Sequence, residues 1–308
     1  MPVPHEPLPA GPVGAPAPGG VIHDIGYRNY DGARLGRAYI LRSLYVQSLR
    51  STYGLGRSAK SKVLPFLLAG AMLLPAVIVV AVMMFARLQD LPLPYERYFV
   101  VTQAVIGIFV ASQAPQLFSR DLRFRTITLY FSRPLTRLDY VTAKFAALAT
   151  SIAILVLGPL IVLYAGTLLA KLSFGEQTKN FAAGLAGVVV LALVLAGVGG
   201  VIASLTTRRG FGVAAIITVL VLSYSGVTIA SGIAQSENNT TLAGYFGLLS
   251  PITLVDGVQV TAFGAEYSGV IPPPDTTVGL LAFVLTAAAV VVGSFGLLLL
   301  RYRKVANA

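Results

Sequence analysis

The sequence predicts an all-α membrane protein with six transmembrane helices and both termini in the cytoplasm. Three observations lead there. Hydrophobic residues make up 56% of the 308 and charged residues only 11%, with a mean hydropathy of +0.77. A soluble domain carries about 25% charged residues, so this composition excludes an ordinary cytosolic enzyme and equally a disordered chain. Six apolar stretches each approach the ~20 residues that cross ~30 Å of hydrocarbon. Finally, of the 23 Lys and Arg, all but Arg87, Arg97, Lys171 and Lys179 fall on one side once those stretches are threaded. That asymmetry marks the richer side as cytoplasmic.

The residues that are missing narrow the chemistry. There is no cysteine, so disulfides and thiolate metal sites are excluded. His5 and His23 both lie in the polar N-terminal stretch. A buried histidine metal site or a serine–histidine triad is therefore not expected. The net charge of +11 is accounted for by topology and by contact with anionic lipids, and nucleic acid is not needed to explain it.

Each element follows from its pattern. Residues 1–30 are rich in proline and glycine and show no apolar period, which reads as a disordered cytoplasmic tail. The segment lacks the basic start and apolar core of a signal peptide. Over residues 31–62, Leu35, Tyr39, Tyr45, Leu49 and Tyr53 recur at roughly helical spacing with Arg37, Arg42, Arg50, Arg57, Lys60 and Lys62 between or after them. This predicts an amphipathic helix in the headgroup layer, tyrosines at the interface and arginines reaching phosphate. A solvated helix packed on a soluble partner is the alternative. The six-span domain then runs over 63–308, with spans near 63–86, 98–118, 142–170, 181–205, 211–233 and 277–300. Pro65 and Pro75 are expected to kink the first span and Pro159 the third. Lys144, just inside the third, is expected to snorkel to the cytoplasmic side. The long connection 234–276 holds no Lys or Arg but carries Glu237, Asp256, Glu266 and Asp275, as an outer segment should. Within it, 248–262 is apolar but interrupted by Pro251 and Gly257. It is too short to span and suits helices dipping into the outer leaflet.

The segment 119–139 is the most informative. It is cytoplasmic and basic, through Arg120, Arg123, Arg125, Arg133 and Arg137, yet Leu122, Phe124, Ile127, Leu129, Tyr130 and Phe131 demand burial. A short helix presenting both to a protein partner satisfies both demands. Pro134 should end it, and Thr136 with Asp139 has the spacing of a capping box for the third span.

Other residues are candidates for packing or passage. Ala192, Ala196, Gly200 and Ser204 recur every four residues in the fourth span, a stripe that lets backbones approach. Packing within the subunit and a dimer seam are both open to it. Thr102, Gln103, Gln113, Ser223 and Tyr224 are polar within spans, where polar groups mark functional candidates. They are candidates for a translocation path. No Asp or Glu sits deep in any span, which counts against a carrier driven by protons or sodium.

The 119–144 stretch resembles the coupling region of ATP-binding-cassette (ABC) transporter permeases of the type-2 exporter family. The matching residues are Asp121, Arg123, Arg125, Ser132, Pro134, Arg137, Tyr140 and Lys144, with Arg133 inside the Ser/Pro-basic turn. Where the family often has a glycine before the leucine-rich part of the helix, this chain has Arg125-Thr126. The helix before span one is similar to the family's elbow helix, and the 234–276 segment to its pair of short re-entrant helices. The resemblance implies a permease subunit, multi-pass in the cell membrane and bacterial, exporting a hydrophobic or amphipathic substrate. It implies a path lined mainly by spans one, two and five, and a second permease copy or a homologous partner. It also implies that energy comes from a separate ABC ATPase, two copies per complex, which binds the ATP and magnesium. No cofactor is then expected in this chain and no catalytic residue. The sequence agrees with this: Gly54–Ser61 comes nearest to a phosphate-binding loop, but Ala59 stands where a glycine must precede the lysine, and a helix precedes where a strand is required. Two readings from other classes are a polytopic membrane enzyme acting on lipids and a secondary transporter. The first wants clustered acids, bases or metal ligands at the membrane surface. The second wants a buried charge and an inverted repeat.

Overall fold

The computed structural model describes residues 32, 35–124, 130, 135–206, 208–269 and 271–306. The expected N-terminal tail lies outside them, as do Arg125, Ser132, Arg133 and Pro134. The chain divides into Met1–Leu35 and one compact unit, Gly36–Ala308, which carries all the described helices.

The described residues are helical, without strands. Helix α1 spans Arg37–Thr52 and α2 Ala59–Phe85. A four-residue helix, α3 (Tyr98–Val101), leads into α4 (Gln103–Leu117), and α5 is the short Ser119–Arg123. The long pair α6 (Arg137–Leu169) and α7 (Phe174–Leu205) follows, then α8 (Arg209–Ser236). The connection after α8 folds as α9 (Thr240–Tyr245), a 3-10 turn at Phe246–Leu249 and α10 (Pro251–Phe263). The last helix, α11, covers Thr277–Ala306.

Five of these, α2, α6, α7, α8 and α11, are long and apolar enough to cross a membrane. That many such helices in one chain is the signature of a multi-pass membrane protein. The expected second span takes a different form. Its helix breaks at Thr102, which has φ −97° and ψ 12°, and its hydroxyl donates to the Tyr98 carbonyl at 2.8 Å. Such back-bonding bends helices, and α4 alone is 15 residues long. By contrast Pro65, Pro75 and Pro159 sit inside helices that run on through them.

The core is built on α6 and α7, whose most apolar stretches are 56% buried, against 17–22% for α2, α8 and α11. α1, α2 and α7 pack on α6, α11 on α7, and α4 against α7 and α8. Leu148, Ile152, Leu160 and Leu163 of α6 meet Leu191, Val194 and Leu195 of α7 inside the protein. The outer faces of α2, α8 and α11 leave Phe66, Leu74, Leu222, Ile229 and Val292 exposed. Apolar faces of that extent belong against lipid or another apolar surface.

The segment before α2 corrects one expectation. The predicted single helix over 31–62 ends at Thr52, and Gly54 (φ +67°) and Gly56 (φ +81°) turn the chain before α2 begins. Leu44, Ser48 and Thr52, one turn apart, form the buried stripe of α1. Tyr45 and Tyr53 do not point to headgroups. They hydrogen-bond α6, Tyr45 with Thr150 Oγ1 at 3.1 Å and Tyr53 with the Ser151 carbonyl at 2.7 Å. At Gly54 a Cβ would collide with the Ser61 carbonyl group, at 2.7 Å from its carbon, on a backbone that L side chains rarely adopt. Gly54→Ala is therefore expected to destabilise by ~1–3 kcal/mol. Thermal unfolding in detergent checks this, and a midpoint equal to that of the unmodified protein would refute it.

Candidate functional site

The short α5 and the first turns of α6 gather the most chemistry. α5 continues α4 after the residue Phe118, so it projects from the end of a largely buried helix. One face of this single turn is anchored. Ser119 donates to the Ala203 carbonyl of α7 at 2.6 Å. Asp121, only 4% exposed, forms an ion pair with Lys144 of α6 at 2.9 Å and accepts from the Tyr140 hydroxyl at 2.7 Å. The Tyr302 ring of α11 packs 5.1 Å from that of Tyr140, and its hydroxyl reaches the Phe118 carbonyl at 3.4 Å. The other face carries exposed Arg120 and Arg123 and, at its end, Phe124, which is 64% exposed beneath the Arg123 guanidinium.

Lys144 thus departs from the expectation that it would snorkel. It is buried, held by Asp121, with its ammonium 5.6 Å from the centre of the Tyr140 ring. A carboxylate at 2.9 Å neutralises the ammonium inside the protein, so its charge has a partner without reaching the surface.

The start of α6 is fixed as its spacing predicts. Thr136 Oγ1 accepts from the Asp139 amide at 3.2 Å, and Asp139 Oδ2 accepts from the Thr136 amide at 3.0 Å, a complete capping box. Arg37 of α1 adds a fork to the Asp139 carboxylate, at 2.7 and 2.8 Å. A forked guanidinium–carboxylate pair orients as well as attracts. It ties the first turn of α1 to the first turn of α6, and α5 is tied to α6 one turn further in. Of the other coupling candidates, Arg137 opens α6.

The path candidates separate. Gln103 and Tyr224 line one apolar cavity of about 360 Å³ between α4 and α8, with Gly107, Leu220 and Ile252. Thr102 and Gln113 are buried elsewhere, Thr102 bonded to its own backbone and Gln113 donating to Ser112 at 3.1 Å. Ser223 donates to the Leu220 carbonyl at 3.2 Å and to Ser250 Oγ at 3.4 Å. The stripe of Ala192, Ala196, Gly200 and Ser204 is buried within the chain, with Gly200 facing Phe118 and Leu298.

A second polar cluster escaped the sequence reading. Asp256 and Gln259 of α10 are 2% and 1% exposed. Asp256 Oδ2 accepts from the Ser268 amide at 3.1 Å, and Gln259 lies against Gly187 of α7. Burial pushes the Asp256 carboxyl up to about 6. Helical spacing of three puts the two residues on one face, a signal hidden because the surrounding run is apolar. Among the described residues, no three of His, Cys, Asp and Glu gather closely enough to hold a metal ion. No protein-family model matches this sequence, and no curated protein matches it.

Proposed function

We propose that this chain is the membrane-spanning permease subunit of an ABC transporter, moving a hydrophobic or amphipathic substrate with energy from a separate ATPase. One observation carries the reading: a single basic helical turn, Ser119–Arg123, whose inner face is locked by Asp121 to Lys144 while Arg120, Arg123 and Phe124 face outward. A turn anchored on one side and presenting charge and an aromatic on the other suits the transmission of force from a docked partner. In this reading α3 and α4 together make the second of six spans, α1 is the elbow helix, and both termini are cytoplasmic. The α9–α10 segment dips into the outer leaflet. ATP and magnesium bind the partner, and closure of its two copies favours one arrangement of the docked turns over the other. The exposed apolar faces of α2 and α8 supply surface for a second permease copy and for lipid. The Gln103–Tyr224 cavity lies between spans two and five, which would line the path.

The test is a double charge reversal, Arg123→Glu with Arg125→Glu, in cells that make the whole complex. Membrane insertion and yield should be unchanged, while the co-purifying ATPase is lost. Undiminished co-purification of an ATPase with the variant, or the lack of any ATPase with the unmodified chain, overturns the proposal.

A further inference from the structure

Arginine is concentrated around two adjoining cavities at the cytoplasmic end of the helices. The larger, about 420 Å³, lies between α1 with its following turn and the α5–α6 region, and Arg50, Arg57, Arg120 and Lys144 line it. The smaller, about 170 Å³, shares Arg57 and Arg120 and adds Arg123 and Arg209. Five arginines from α1, the 53–58 turn, α5 and α8 therefore line two cavities that share Arg57 and Arg120. Among the described residues no Asp or Glu lines either cavity. The Lys144 charge is already met by Asp121, so the arginines carry the excess.

Such clustering has a physical consequence. Like charges lining neighbouring cavities give the space a positive potential that attracts anions. Arg37 shows how this chain neutralises a guanidinium when it needs to, with the Asp139 fork. Among the described residues, no such carboxylate lines the cavities beside the five arginines. A tetrahedral oxyanion supplies what is missing, because guanidinium forks match phosphate oxygens in pairs. The surroundings add a second indication. The larger cavity also carries Leu44, Val46 and Leu55 on its wall, and apolar α2 and α8 start beside the pair at Ala59 and Arg209. The space therefore offers guanidinium to a phosphate and an apolar wall to what the phosphate bears, at the level where apolar helices begin. Basic pockets at that level are where lipid headgroups bind.

We propose that these adjoining cavities bind one phosphate-bearing anion, with Arg57 and Arg120 contacting it from both cavities and Arg50, Arg123 and Arg209 at its edges. A phosphodiester headgroup of an anionic lipid and a soluble phosphate ester share the chemistry. The inference does not rest on ATPase docking, since the ligand is bound by this chain alone.

The experiment uses the purified full chain in neutral detergent, without any ATPase, and native mass spectrometry to count bound molecules. The probes are phosphatidylglycerol, phosphatidylcholine and glycerol 3-phosphate. Phosphatidylglycerol should bind saturably at one molecule per chain and more tightly than phosphatidylcholine. Arg57→Gln with Arg120→Gln should weaken it by about tenfold or more, the scale for loss of charge-assisted contacts. Arg50→Gln with Arg120→Gln, both at exposed positions, should weaken it in the same direction without threatening the fold. Arg303→Gln with Lys304→Gln, at the exposed end of α11, should leave it unchanged. Glycerol 3-phosphate binding with the same sensitivity to the variants would support the site and assign it to soluble esters. Its failure to bind while phosphatidylglycerol does would assign the site to lipid. Equal binding of phosphatidylcholine, loss of affinity in the α11 variant as large as in the cavity variants, or no loss in either cavity variant overturns the proposal.

Discussion

Lys144→Met should destabilise the protein by about 3–5 kcal/mol, the cost of leaving one member of a buried ion pair without its partner. Asp121 is 4% exposed in α5, and without Lys144 its carboxylate loses the ammonium at 2.9 Å while the Tyr140 hydroxyl still donates to it. The companion variant separates charge from packing. Asp121→Asn combined with Lys144→Met removes both charges, keeps a hydrogen-bonding partner for Tyr140 and preserves the volume of the lysine stem. It should regain most of the loss, because replacing a buried pair by neutral groups of similar shape is close to neutral. Thermal unfolding in one detergent orders the set: the single variant lowest, the double variant near the unmodified protein. A single variant as stable as the unmodified protein would mean that the pair is not buried as described. The effect also has a location. Loss of the pair should free the α5 turn first, since Asp121 is its buried charged anchor, so proteolysis around Arg120 and Arg123 should accelerate before global unfolding.

What could be read from the sequence, and what could not, divides along the same line. Long apolar runs specify helices by themselves, so α2, α6, α7, α8 and α11 coincide with five expected spans. Their ends do not, because polar residues continue a helix wherever a neighbour receives them. α7 starts at Phe174, ahead of the apolar run, since Gln177 accepts from the Tyr95 hydroxyl at 3.0 Å and Phe181 stacks 4.6 Å from Tyr164. The break at Thr102, where a hydroxyl back-bonds to the Tyr98 carbonyl, leaves no trace in hydropathy. Asp121 and Lys144 each stood out as residues in the coupling stretch, but their pairing did not. Twenty-three positions and an intervening segment separate them, so no helical period relates them, and Tyr302 joins from the far end of the chain. The capping box was legible because Thr136 and Asp139 are three apart and need only local backbone. The arginine cavities share the fate of the ion pair: Arg50 and Arg120 line one and Arg120 and Arg209 the other only through the packing of α1, α5 and α8.

Asp256 should make stability fall as pH rises from about 4 to 6. Burial raises its carboxyl from an ordinary 3.8 to about 6, with the Ser268 amide and the Arg97 charge opposing the rise and the Glu96 charge adding to it. The folded protein therefore holds this proton where the unfolded chain has already released it. The stabilisation is complete below pH 4, is lost through the interval up to pH 6, and does not change further above it. A difference of roughly two pH units corresponds to about 3 kcal/mol between the ends of that interval. Asp256→Asn should abolish most of the slope and be more stable than the unmodified protein at pH 7, since an amide carries no charge to desolvate. Glu96, whose carboxyl burial also pushes upward, supplies a residual slope of the same sign, and Glu96→Gln added to Asp256→Asn should flatten the profile further. Unfolding midpoints across pH 4–8 in a single detergent decide the matter. A profile for Asp256→Asn that keeps the full slope would place the titration elsewhere. A variant less stable at pH 7 would show instead that the ionised carboxylate is held by a charge partner strong enough to outweigh its burial, for which Arg97, whose charge acts on it, is the candidate.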